Sequence, residues 1–238
     1  MIYVVGIGPG SAAFRTAAAD RTLREADILV GYQTYIDLIR SDYPDTPVFA
    51  TGMTGEVERC RQAVRLSRAG QTVAVVCSGD AAVYGMASLI LELAEETDPV
   101  EIVPGVTAAL SASAVLGAPL SGDMAIISLS DRLTPWETIA NRLDAAARGD
   151  FCIALYNPAS RQRTDHLARA VDILLRHQPG TLPCGWVRNI GREGQTSRLL
   201  TLQSLREETV DMFTTVIVGN RSTVRKGDRL ITPRGYRK

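Results

Sequence analysis

Residues 72–80, TVAVVCSGD, decide how this chain is read. From Val73 to Cys77 the run is apolar without polar alternation, so it has no face to offer to water. It reads as a strand buried on both sides, as the strands of a parallel sheet are. It then breaks into Ser78-Gly79-Asp80, a strand end that turns at once. The same grammar recurs outward from it. Before it come IYVVGIG (2–8), an amphipathic helix over 12–25 with Ser11 as its N-cap, ADILVG (26–31), a short helical stretch after Tyr32, PVFA (47–50), and a helix over 55–69 stopped by Gly70. After it come a helix over 84–96, VEIVPG (100–105) and an alanine-rich helix over 107–116. Strand and helix alternate throughout, which predicts an α/β fold with a mostly parallel N-terminal sheet covered on both faces.

Glycine, proline and serine cluster in GAPLSGD, so 117–123 is the expected linker between an N-terminal α/β domain, 1–116, and a C-terminal one, 124–238. The second half reads as strand 125–130, a helix over 135–149 with Pro135 in its first turn, strand 151–156, and a helix after NPASR to about His177. Strands 184–189 and 196–202 flank the turn GREG, and 214–220 is the last buried strand. Antiparallel pairing around that turn predicts a mixed C-terminal sheet.

The 238 residues contain 45% hydrophobic and 22% charged residues and no apolar run long enough to span a membrane, which excludes disorder and a membrane helix. The N-terminus enters a strand directly, with no basic and apolar leader, and the expected location is the cytoplasm. Lys+Arg and Asp+Glu are both 26, so no net field draws nucleic acid or an anionic membrane. Cys60, Cys77, Cys152 and Cys184 lie far apart with no C-x-x-C pair, which predicts small buried hydrophobes and no metal site. Only Lys226 and Lys238 are lysines, leaving 24 arginines. Arginine presents a planar fork that grips carboxylates and phosphates.

Three strand ends carry the chemistry-bearing turns. Gly6, Gly8 and Gly10 close the first strand, but Ser11 stands where a dinucleotide loop needs glycine, no lysine follows for a P-loop, and Pro9 removes a backbone N–H. Ser78-Gly79-Asp80 and VPGVTA (103–108) end two more. Asp80 either takes an ammonium or hydroxyl group or caps the helix that follows. Ligands of open parallel sheets sit outside the carboxyl ends of the strands, so three such turns on one rim predict a small-molecule cleft.

In order and spacing, GIGPG (6–10), SGDAAVYG (78–85), PGVTA (104–108) and YNP (156–158) resemble the four successive signatures of the tetrapyrrole (corrin/porphyrin) methylase family. GYQTY (31–35), SLSDRLTPW (128–136), YNPASR (156–161) and TPRGY (232–236) resemble the branch of that family that methylates carbon 17 of a cobalamin precursor and contracts its ring. The resemblance implies a two-domain enzyme, usually a homodimer, that binds S-adenosylmethionine between its domains. By motif position Pro9, Ser78, Gly79, Asp80, Val83, Thr107 and Ala108 would contact the cofactor, with Asn157 and Ile190 framing the adenosine. The chain departs from the family pattern at Ala81, where proline is usual, and at Asn157, where a hydrophobic residue is usual. A corrin precursor carries ionised acetate and propionate arms, for which Arg161, Arg163 and Arg234 are the candidate forks and Ser128 and Ser130 the neighbouring hydroxyls. Ring contraction gains from a proton acceptor; Asp131 is the first candidate and His166 the second, and an aspartate base requires burial that raises its pKa. Rival readings are an RNA or protein methyltransferase of the same fold and a non-catalytic tetrapyrrole-binding protein. Whether the macrocycle carries cobalt stays open.

Overall fold

The computed structural model describes residues 1–160 and 162–236. The chain divides into two units, Met1–Ala108 and Ala109–Lys238. In the first, strands β1 (Ile2–Gly6), β2 (Ile28–Tyr32), β3 (Val48–Thr51), β4 (Val73–Cys77) and β5 (Val100–Val103) form one sheet in the order β3-β2-β4-β1-β5. All four pairings are parallel. Every residue of β4 is buried, as its unbroken apolar run requires. The period of two sorts its side chains: Val73, Val75 and Cys77 pack with Cys60, Ala63 and Ile90 of helices α3 (Glu56–Arg68) and α4 (Ala87–Leu93). Ala74 and Val76 pack on the other face, with Ala19 and Leu23 of α1 (Ala17–Glu25) and Ile36 of α2 (Gln33–Asp37). A one-residue slip would exchange the two faces, and two buried faces with different helices on them fix the register.

Two helices differ from their sequence reading. The stretch 12–25 is interrupted: Ser11 caps only a single 3-10 turn, Ala12–Phe14, and Thr16 caps α1 by accepting from Ala19 N at 3.1 Å. Two good capping residues five apart start two elements rather than one. The helix expected from 84 begins at Ala87, because Tyr84 is at φ +55 and takes the chain out of helical geometry.

The second unit contains α5 (Ala108–Leu116), whose first residue closes the first unit, then β6 (Gly117–Ala118), β7 (Met124–Ser128), α6 (Trp136–Arg148), β8 (Cys152–Tyr156) and α7 (His166–Leu174). They are followed by β9 (Pro183–Arg188), β10 (Thr196–Thr201), α8 (Leu202–Leu205), β11 (Thr214–Val218), β12 (Val224–Lys226) and β13 (Arg229–Ile231). The main sheet runs β10-β9-β11-β8-β7. Only β7 and β8 are parallel, so this sheet is mixed. Its core gathers Ile139 and Leu143 of α6, Leu167 and Val171 of α7, Leu202 and Leu205 of α8, and Ile153, Leu155, Val216 and Val218 of the strands. A small third sheet, β12-β13-β6, has no counterpart in the sequence reading. It includes Gly117 and Ala118, so the expected linker 117–123 starts inside the second unit, and the two units part between Ala108 and Ala109. Among the described residues no helix is long and apolar enough to cross a membrane.

Candidate active site

At the carboxyl end of the first sheet the glycine turns meet backbone to backbone. Gly8 N donates to Gly79 O at 3.0 Å and Gly79 N to Gly8 O at 2.7 Å, a two-bond stitch between the loops after β1 and β4. The loop after β5 closes against both: a Cβ on Gly6 would lie 2.7 Å from Gly105 N and 2.8 Å from Gly79 O. Gly8 and Gly79 have φ of +75 and +71, which glycine adopts without strain. The three turns expected on one rim are thus in mutual contact, and Gly6 and Gly105 use their missing side chains for that contact.

Asp80 ties the arrangement together. Its Oδ1 accepts from Ala82 N at 2.8 Å and Val83 N at 3.0 Å, and its Oδ2 accepts from Gly105 N at 3.0 Å. It therefore does not cap α4, which begins at Ala87. Of the roughly four acceptor positions of a carboxylate, three are taken and about one, on Oδ2, is left for a ligand donor. The Cβ position of Gly79 faces Thr107 Cα at 3.6 Å and Ala108 N at 3.7 Å, so the floor here is bare backbone and small residues. Gly79, Asp80, Val83, Thr107 and Ala108 are thereby grouped around one loop system, with Pro9 and Ser78 at its two strand ends.

In the second unit the ends of the parallel pair β7 and β8 carry a network of side chains. Asn157, at φ +51, donates from Nδ2 to Ser128 Oγ at 3.0 Å, and Ser130 N donates to the same oxygen at 3.2 Å. Ser160 and Arg163 form a two-bond backbone turn that returns the arginine over the site. Arg163 donates from Nε to Ser160 Oγ at 3.1 Å and from Nη1 to Ser130 Oγ at 2.7 Å, and Nη1 lies 3.5 Å from Asp131 Oδ1. The Arg163 side chain is only 16% exposed, and its guanidinium organises Ser130 and Asp131 rather than standing free as a fork. Ile190 is buried beside Asn189, which has φ +52.

The two proton-acceptor candidates, far apart in sequence, are neighbours. His166 Nε2 lies 3.1 Å from Asp131 Oδ2, off the line of a good hydrogen bond, and Nδ1 lies 3.2 Å from Asp165 Oδ1. The imidazole is 6% exposed and Asp131 is 37% exposed, so Asp131 faces outward and His166 stands behind it. The close imidazole, and more weakly Arg163, hold the Asp131 carboxyl below the usual carboxylate range against the opposing effect of burial. Burial, which alone would raise the pKa of an aspartate base, is outweighed here, and the shift runs the other way. Trp136 meets the imidazole edge-on, centroids 4.9 Å apart, and Arg169 lies 3.9 Å over the Trp136 ring. Trp136 ends the SLSDRLTPW motif, but nothing in that motif ties it to His166; Asp165 and Arg169 belong to no motif, and only their places one before and three after His166 could have pointed to them.

Arg234 is exposed, with its guanidinium 5.7 Å from the Tyr236 ring. Arg161 lies outside the described residues. The four cysteines are free and buried. Burial pushes the Cys60 thiol up to about 11 and Cys77 to about 12, which leaves them as unreactive packing groups.

Residues 1–206 match the family model described as Tetrapyrrole (Corrin/Porphyrin) Methylases. A "Probable cobalt-factor III C(17)-methyltransferase" of Salmonella typhimurium is 47% identical over 99% of each chain. A "Cobalt-factor III methyltransferase" of Priestia megaterium is 42% identical over the whole of this chain and 45% of its own length. Among solved structures, "the methyltransferase CobJ" superposes with a TM-score of 0.90 at 35% identity, covering 98% of this chain and 99% of the other. The four strand-end signatures, the parallel-plus-mixed pair of sheets, the family-model match and the relatives alike over nearly the whole of this chain together make it a member of the tetrapyrrole methylase family.

Proposed function

We propose that the protein is an S-adenosylmethionine-dependent methyltransferase of cobalamin biosynthesis that methylates carbon 17 of cobalt-factor III, or of its metal-free counterpart precorrin-3B, with contraction of the ring. The observation that carries the reading is the stitched rim of Gly6, Gly79 and Gly105 with Asp80 at its centre, in a chain alike end to end to relatives named for that reaction. Relatives whose names specify cobalt-factor III favour the cobalt-bearing macrocycle.

The residues fit the cofactor: Asp80 keeps an acceptor position for its ammonium group, and Gly79, Thr107 and Ala108 offer a floor with little side chain on it. Bound there, S-adenosylmethionine supplies an electrophilic methyl group. Pro9, Ser78 and Val83 belong to the same loops, and Asn157 and Ile190 are assigned to the adenosine. Methyl transfer is an in-line displacement, so the chain's task is to hold the reacting atoms within attack distance. Arg161, Arg163 and Arg234 are assigned to the acetate and propionate arms, with Arg163 acting largely through Ser130 and the position of Asp131. Where the substrate is the hydroxylated, metal-free precorrin-3B, Asp131, kept ionised, would accept the hydrogen bond of the tertiary hydroxyl whose collapse to a carbonyl accompanies contraction; on cobalt-factor III its role would be to hold a proton near the contracting bond. His166 is its positioning residue, since both ring nitrogens face carboxylates and the ring is buried.

The reading includes a cytoplasmic homodimer with no nucleic-acid or membrane partner, in keeping with the balanced charge; light scattering tests the dimer. The activity test incubates the protein with each macrocycle and S-adenosylmethionine and follows product mass and absorbance. One added methyl and matching S-adenosylhomocysteine are expected; binding without S-adenosylhomocysteine would make the protein a tetrapyrrole carrier instead.

A further inference from the structure

Among the described residues, the non-glycine positions with positive φ are Thr54, Tyr84, Asp150, Asn157 and Asn189. Asparagine and aspartate tolerate that region through local hydrogen bonds; a bulky aromatic residue at φ +55 is a genuine outlier. Strain of this kind persists only where the surroundings over-determine it, and it gathers at ligand sites. The surroundings of Tyr84 do so. Asp80 holds Ala82 N and Val83 N on one side of it. On the other, Gly85 has no room for a side chain, since its Cβ would overlap the Ala81 carbonyl, and Ala87 N donates to that carbonyl at 3.1 Å. The turn does not hide the ring: Tyr84 is 57% exposed. The fold thus tolerates an unfavourable backbone and leaves a large aromatic side chain facing solvent, at the strand end that carries Gly79 and Asp80. The loop after β1, the strand next to β4, presents a second exposed aromatic, Phe14, whose carbonyl lies 2.6 Å from where a Gly8 Cβ would be.

We propose that Tyr84 is a substrate-contacting residue that lays its ring against the flat face of the macrocycle; this rests on the reading of the protein as a corrin-precursor methyltransferase. The division of labour is chemical. A tetrapyrrole has a broad apolar face and a charged periphery, and an aromatic ring on a rigid turn matches the face while arginine matches the arms. Holding the ring outward in a fixed turn lowers the ordering cost of that contact.

The test compares Tyr84→Phe, which keeps the ring, with Tyr84→Gly and Tyr84→Asn, which remove it and suit the left-handed backbone. The readouts are KM for cobalt-factor III, calorimetric affinity for S-adenosylmethionine, melting temperature and mass in solution. Tyr84→Phe should leave KM within about twofold, and the other two should raise it about tenfold, as loss of an aromatic contact with its buried area does. Cofactor affinity and mass should not change, and melting should not fall. Either variant suffices should the other fail to fold. An unchanged KM in a folded Gly or Asn variant overturns the proposal, as does an equal loss of cofactor affinity, which would make the turn part of the cofactor site. A change of mass would overturn it too, by giving the ring to a second copy of the chain. A parent protein that methylates neither macrocycle overturns the functional reading and this inference with it; a parent that turns over beside an unaffected Tyr84→Gly overturns this inference alone.

Discussion

The two strand-end regions are built in opposite ways. At the end of the parallel sheet, loops meet through their backbones: Gly8 and Gly79 exchange two hydrogen bonds, and Gly6 and Gly105 touch with no side chain between them. At the ends of β7 and β8, loops meet through side chains, in a chain of contacts from Asn157 through Ser128, and from Ser130 through Arg163 to Asp131 and His166. A backbone rim has no spare volume but asks little of polar chemistry. A side-chain network can shift by tenths of an ångström, yet every donor in it counts. On the proposed function, the first holds the constant cofactor and the second handles protons and charge on the substrate.

The contrast breaks most sharply at Gly105. In Gly105→Ala the new carbon overlaps the Gly79 carbonyl and sits 2.6 Å from Gly6 O, and backbone on both sides leaves nothing to swing away. A loss of about 3 kcal/mol is expected in chemical denaturation, at the upper end for overpacking. Gly122→Ala, with nothing within 4 Å of the new Cβ, should be close to neutral.

Asp80→Ala comes next. It strips acceptors from three backbone N–H groups, a destabilisation of about 2 kcal/mol, and should weaken S-adenosylmethionine binding about tenfold by calorimetry. A stable variant with full affinity would show that the carboxylate is dispensable to the rim.

In the second region Asp131→Asn should leave cofactor affinity intact and slow ring contraction about tenfold, about 1.4 kcal/mol of barrier. His166→Gln should move the same rate in the same direction by less. Near-normal contraction in both would remove the protein as a source of proton chemistry. Linkage gives a second reading of the same pair. Because the folded Asp131 pKa is lowered, its contribution to stability is complete above the ordinary carboxylate value and is lost as pH falls through the folded value. The stability gap between parent and Asp131→Asn should therefore close in acid. It should be small even at neutral pH, under about 1 kcal/mol, since the group is over a third exposed.

Arg234→Lys is expected to have the smallest effect: it keeps the charge but loses the two-pronged grip on a substrate carboxylate, so macrocycle affinity should fall by about threefold with no change in melting, and unchanged affinity would remove Arg234 from the substrate arms.

The sequence revealed these regions unevenly, and for physical reasons. Val73–Cys77 was legible because burial on both faces leaves only one pattern of residues. The glycine turns after β1, β4 and β5 were legible as a rim, since parallel strands put like ends together. What the glycines are for was not: their spacing suggested close approach to a ligand, whereas Gly6 and Gly105 approach each other. Asp131 and His166 were legible as rival bases but not as partners, because their proximity depends on the pairing of β7 with β8 and on α7 folding back. The third sheet was not legible at all; strands of two and three residues are too short to show a period.

That sheet also sets a timetable. Leu230 and Ile231 pair with Gly117 and Ala118, and Thr232 donates to Pro119 O at 2.6 Å across 113 positions of sequence. Such long-range contacts come late, because the intervening loop must be closed before they reward it. The first unit holds all its strands within residues 2–103 and can complete its sheet while the ribosome is still making the second. The second cannot close its smallest sheet until Arg229–Ile231 has been made, a wait on the order of ten seconds at ordinary elongation rates. During that interval the two-residue edge Gly117–Ala118 waits without its partner strand.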